Sequence, residues 1–130
     1  MDPVWFGQFA VTAFFAVAFL QSAADKWMDS AGNLEFLTGH FAKSPLAGTV
    51  TPMFWAITVI ESAAGILCAI GAVQVLFGLG GGLAVWGIVV ATLALLSLFF
   101  GQRLAQDYGG AVVIASYFAV ALLGLLLFQS

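Results

Sequence analysis

Charge is what this sequence has least of. Only 7% of its 130 residues are Asp, Glu, Lys or Arg, while 63% are hydrophobic and the mean hydropathy is +1.13. A soluble domain carries about a quarter charged residues, so most of this surface is built for lipid rather than water. Basic residues are scarcest, limited to Lys26, Lys43 and Arg103, and the net charge is -3. That leaves no basic patch for nucleic acid. Cysteine occurs once, as Cys68, which excludes an internal disulfide, a Cys-based zinc site or an iron–sulfur cluster built by this chain. Histidine also occurs once, as His40, which excludes a bis-histidine haem held within one chain. No metal site is expected.

What fills the sequence instead is apolar run. A helix crossing the hydrocarbon core needs about 20 apolar residues, and four segments qualify: 4–24, 52–77, 82–101 and 109–128. The first could pass for a secretory leader. However, Met1-Asp2-Pro3 carries no Lys or Arg, and the run is too long and aromatic, so a true membrane span is expected. Pro52 suits the first turn of the second span, with Thr51 as its expected cap. Phe77-Gly78-Leu79-Gly80-Gly81-Gly82 reads as a tight hairpin between spans two and three. It follows no strand, so its glycines are not a nucleotide loop.

Tryptophans mark the two interfaces. Trp5 and Trp86 fall on the side of the glycine turn and both termini; Trp27, Trp55 and Tyr108 fall on the other. Trp5 and Trp27 are 22 residues apart, about 33 Å of helix, which matches one bilayer. All three basic residues lie on the second side, which the positive-inside rule places in the cytoplasm.

Residues 25–50 form the only sizeable loop. Within 33–43, Leu34, Leu37 and Phe41 recur at helical spacing beside Phe36, which predicts a short amphipathic helix ended by Ser44-Pro45. Small residues, joined in span two by polar ones, recur along the spans and predict close helix contacts. They are Thr58, Glu61, Gly65, Cys68 and Ala72 in span two; Gly87, Ala91, Ala94 and Gly101 in span three; and Ala111, Ala115 and Ala119 in span four. The expectation is an all-α integral membrane protein: a single domain over 1–130, folded as a four-transmembrane-helix bundle with an amphipathic helix in its first loop.

A few polar residues interrupt this apolar background. Glu61 lies about 13 Å of helix beyond Pro52, where an unpaired charge costs from a few to over ten kcal/mol. It is either a proton or quinone-head ligand, or half of a structural pair with Arg103 or Lys26. The island Gly101-Gln102-Arg103-Leu104-Ala105-Gln106-Asp107-Tyr108 follows a stretch without charge from Ser62 onward. Arg103 can reach Glu61, Asp25 or Asp107, or can solvate its charge among head groups. Asp107 reads as the N-cap of span four, accepting from Gly109 or Gly110. Tyr108 is an interface residue or a hydroxyl at a site mouth. Asp25 and Lys26 close the first span with Gln21 one turn earlier, and need separate partners because adjacent helical residues diverge. The candidate polar cluster is therefore Glu61, Arg103, Asp25, Lys26, Gln21, Gln102, Asp107 and Tyr108. His40 reads as an interfacial histidine and Cys68 as a packing residue.

Taken together, Gln21…Asp25-Lys26, Phe41…Ser44-Pro45-Leu46, Glu61…Gly65 and Phe100-Gly101-Gln102-Arg103-Leu104-Ala105…Asp107-Tyr108…Gly110-Ala111 resemble the DoxX family of small four-span membrane proteins. The similarity covers nearly the whole chain. The segment from Gly101 to Tyr108 is its most specific part. The resemblance implies a four-helix bundle. It also implies kinship with the small membrane subunit of thiosulfate:quinone oxidoreductase, with proteins of thiol and oxidative-stress handling, and with membrane assembly factors. Because this chain lacks paired cysteines, it is expected not to be catalytic alone. The expected role is a subunit of a redox-associated, quinone-linked complex in the bacterial inner (cytoplasmic) membrane. Quinone or lipid would be its small-molecule ligand, and the bilayer and other membrane subunits its partners. The alternative is a purely structural or assembly subunit.

Overall fold

A computed structural model describes residues 2–129. Five α-helices account for most of them: α1 (Pro3–Met28), α2 (Ser30–His40), α3 (Val50–Leu76), α4 (Gly82–Leu104) and α5 (Tyr108–Gln129). A single 3-10 turn, Ala47–Thr49, precedes α3. Helices α1, α4 and α5, and the segment Ala47–Leu76 that contains α3, are long and apolar enough to cross a membrane, and the chain is an integral membrane protein of the all-α class.

The helices run up and down around a square. Helix α3 packs between α1 and α4, α5 lies on α4, and α5 closes the ring against α1. One end of the square, the polar end, carries α2, Lys26, Trp27, Trp55 and the α4–α5 turn. The other carries the glycine turn, where Gly78 and Gly80 take φ of 70° and 105° that a side chain would strain.

Contact between the helices is backbone-close. A Cβ placed on Gly71 of α3 would lie 2.5 Å from the Cα and backbone N of Ala84 on α4. A Cβ on Gly87 of α4 would lie 2.8 Å from the backbone N of Cys68 on α3. On the other flank, a Cβ on Gly65 would lie 2.9 Å from the backbone N of Leu20 in α1. In lipid, where apolar burial gives helices no drive to associate, such contacts hold the bundle through dispersion. The small face anticipated on span two is the buried one, whereas Val59, Ile66 and Ile70 face outward.

Four details depart from the sequence reading. Helix α1 does not stop at 24 but runs to Met28, so Lys26 belongs to its last turn. The second span begins at Val50, one residue before the expected cap Thr51, because the 3-10 turn leads directly into it. Thr49 stands at the N-cap, but its hydroxyl donates back to Leu46 O (2.9 Å) rather than capping; Pro52 remains in the first turn. The segment expected over 33–43 is α2, Ser30–His40, so it starts earlier and ends with Phe41 as its C-cap, before Ser44-Pro45 is reached. Finally, Ala115 and Ala119 face outward, not inward with Ala111. Because α4 offers alanine and glycine to the core, α5 fills the gap with bulk, and Ile114, Phe118 and Leu125 pack against the core beside Ala121.

The α3–α4 contact can be tested with two glycines. Gly71→Ala should lower stability in micelles by about 1–3 kcal/mol, the usual cost of overpacking. Gly39→Ala, in α2 with nothing within 4 Å of the new methyl, should be neutral or stabilising. Equal behaviour of the two in equilibrium unfolding would refute the close-contact account.

Candidate functional site

Local sequence places two polar groupings at one end of the bundle. The first arises because Ser22 and Lys26 are one turn apart on α1 and face Glu61 on α3. The Lys26 ammonium donates to Ser22 Oγ (2.8 Å), and the Ser22 hydroxyl donates to Glu61 Oε2 (2.8 Å). Lys26 Nζ also stands 2.9 Å from Glu61 Oε1, at an angle too oblique for a hydrogen bond. The Glu61 side chain is 3% exposed and that of Lys26 16%. This is a closed triangle in which each charge compensates the other, the condition under which a carboxylate survives at that depth.

The second grouping forms where α2 returns to the bundle. Asp29 both ends α1 and starts α2: its N–H donates to Asp25 O (2.9 Å), while its Oδ1 accepts from Gly32 N (3.1 Å). Asn33 ties the corner, its amide donating to Asp29 O (2.8 Å) and to Asp25 Oδ2 (3.3 Å). Folding back in this way lays Leu34 and Leu37 on the bundle and buries Phe41 against Gly101. His40, three residues after Leu37, is thereby brought to α4 and α5. Its Nε2 lies 3.0 Å from Gln102 Oε1 and 3.5 Å from Asp107 Oδ2.

Asp107 owes its position to a tight turn. Gln106 adopts φ 60°, the left-handed region, and the chain reverses so that Asp107 N donates to Gln102 O (2.9 Å). Asp107 Oδ1 then accepts from Gly110 N (2.9 Å) and caps α5. A Cβ on Gly110 would lie 2.7 Å from both Asp107 Oδ2 and Gln102 Nε2, so the glycine is what lets the two side chains converge.

Between the groupings lies a cavity of about 530 Å³. Its walls are mainly apolar, with Leu37, Phe54, Ile57 and Ile60 among them, and its polar side chains are Lys26, Asn33, His40, Ser97, Gln102 and Asp107. An apolar chamber with a few converging polar groups is the usual form of a small-molecule site. A second depression, of about 590 Å³, lies at the glycine end between Trp5 and Trp86. Two of its polar groups are already engaged: Trp5 Nε1 donates to Val75 O (2.8 Å) and Gln8 Nε2 to Leu127 O (3.1 Å). The chamber under α2 is the better candidate because, of the two, it alone gathers ionisable side chains, Lys26, His40 and Asp107, on its wall.

The residues singled out from sequence are distributed unevenly. Glu61 and Lys26 meet, and Gln102 and Asp107 meet through His40. Asp25 belongs to the α1–α2 corner, and Gln21 faces outward. Arg103 forms no ion pair among the described residues; its guanidinium lies over the exposed ring of Tyr108, 4.7 Å from the centroid. Neither Arg103 nor Tyr108 lines the chamber. Of the two partners open to Glu61, the structure pairs it with Lys26. Ser22 and His40 are the members that sequence reasoning passed over. Ser22 could have been found from its i, i+4 spacing to Lys26, and His40 from its place on the Leu37 face of α2.

The buried triangle makes a measurable claim. Lys26→Met, which leaves Glu61 uncompensated, should cost about 3–5 kcal/mol, and the double change with Glu61→Leu should recover most of it. Unfolding in micelles gives the coupling directly, and additive single effects would mean the two charges do not depend on each other. Comparison with protein-family models, curated proteins and solved structures finds no match for this chain.

Proposed function

We propose that the chain is a DoxX-like small subunit of a redox-associated, quinone-linked assembly in the bacterial cytoplasmic membrane, and that the chamber under α2 receives the quinone head. The observation that carries this reading is the chamber itself: largely apolar, at the polar end of the spans, with hydrogen-bonding groups gathered on its walls. Its charges favour a neutral head over a phosphate. The one cation on the wall, Lys26, is compensated by Glu61, and the nearby Asp107 is an anion. Trp27 and Trp55, whose ring centroids are 5.5 Å apart, mark this end as an interface, where quinone heads and their tails separate into polar and apolar layers. One histidine and one cysteine do not supply a bis-histidine haem or an iron–sulfur centre within this chain, and the reading assigns electron transfer to a partner subunit.

An assembly role draws on a separate observation. Helix α5 is the least buried span, and its outward face carries Ala115, Ser116 and Ala119, small residues of the kind that line helix contacts in membranes. The two readings are compatible within one complex.

Solvent extraction of the protein purified in mild detergent tests the first. Quinone should be recovered in near-stoichiometric amount, and Gln102→Leu should lower that yield several-fold with helicity unchanged. An extract empty of quinone from both proteins would sink the quinone reading.

A further inference from the structure

His40 presents an atom that has no hydrogen-bond partner among the described residues. Its Nε2 faces two oxygens, Gln102 Oε1 at 3.0 Å and Asp107 Oδ2 at 3.5 Å. A carboxylate oxygen only accepts, so this placement favours the tautomer with the proton on Nε2, which is the one assigned here. That fixes the Gln102 amide as well, since the turned amide would set N–H against N–H. Phe36 stacks on the ring at 5.6 Å and 19°, and Phe41 meets it edge-on at 5.1 Å and 84°. Between them they hold the plane of the imidazole. In the neutral ring so fixed, Nδ1 is an acceptor, and no described residue donates to it.

The Gln102 amide N–H2 has no acceptor among the described residues and can serve an oxygen of either ring form. The remaining polar groups of the chamber are engaged, Ser97 Oγ donating to Leu93 O (2.9 Å). The Asn33 amide serves Asp29 and Asp25, Lys26 serves Ser22 and Glu61, and Asp107 Oδ1 caps α5. Only Lys26 and Asp107 add charge to the chamber wall. The residues that α3 contributes, including Met53, Phe54 and Ile57, have none.

We infer that His40 determines ligand specificity, its Nδ1 accepting a hydrogen bond from a hydroxyl of the bound ring, so that the chamber prefers a quinol to the corresponding quinone. A carbonyl in the same place would set lone pair against lone pair. This rests on the quinone-head reading above and names which form of the head the site takes. One hydrogen bond of ordinary strength corresponds to a preference of about three- to tenfold.

The test uses the full chain in lipid nanodiscs at about pH 8, where an ordinary imidazole is neutral. A labelled decyl-benzoquinol, kept reduced under anaerobic conditions, is displaced in turn by the unlabelled quinol, the matching quinone and a diacylglycerol of similar chain length. The quinol should compete about three- to tenfold better than the quinone. His40→Phe should bring that ratio to near one, and His40→Gln, which retains an acceptor, should restore part of it. A merely structural role for His40 would weaken both ring forms together and leave the ratio unchanged. Equal competition by quinol and quinone in the unaltered protein would leave the quinone-head reading standing and overturn the role of His40, as would a preference for the quinone. If neither ring form bound, the quinone-head reading and this inference would fall together. Displacement by diacylglycerol as effective as by quinol would overturn the assignment to a ring.

Discussion

Helices in lipid have almost nothing to gain by burying apolar side chains, because the hydrocarbon around them is equally apolar. Every stable feature of this bundle therefore rests on how closely α3 approaches its neighbours. Gly71 and Gly87 bring its backbone to α4, and Gly65 brings it to α1. That proximity does more than supply dispersion. With α1 drawn onto α3 at Gly65, Ser22 and Lys26 arrive opposite Glu61 at hydrogen-bonding distance. A looser crossing would leave the carboxylate to find its own compensation in hydrocarbon.

The chamber follows from the same arrangement by a second route. Helix α1 outlasts the hydrophobic run and carries Lys26 in its last turn, and the double role of Asp29 folds α2 back at once. The returning helix covers the upper part of α3 instead of trailing into solvent. It is held at its far end by Phe41 beneath Gly101 and by His40 against Gln102 and Asp107. Chamber, lid and polar rim are thus consequences of where two helices end. A neutral amphiphile with a hydrogen-bonding head is the proposed occupant because the charges within reach are matched or capping.

The legibility of this protein in its sequence varied with the range of the interaction. The four spans, the amphipathic segment, the inward face of span two and the Asp107 cap all depend on neighbours within a turn or two, and each was readable there. Residues 115 and 119 misled because a row of alanines says only that a close contact is allowed. Whether it is used depends on the size of what stands opposite, and α4 offered small residues where α5 then needed large ones. Arg103 was ambiguous for a related reason. Its long side chain had several acceptors in range along the sequence, and the nearest favourable surface turned out to be the ring of Tyr108.

By itself the sequence determined the solvent and the helices. A chain with 7% charged residues and four long apolar runs has to satisfy its backbone internally, and in lipid helices do so. Only the tertiary structure decided the partners of the rare polar groups. Glu61 went to Lys26 and Ser22, the latter 39 residues away, and His40 to Asp107 and to Gln102, the latter 62 residues away. Local periodicity carries no information about which helix stands next to which, or about the rotation at which they meet. Those are settled by steric fit between whole faces, and the polar atoms pair with whatever that fit brings within reach.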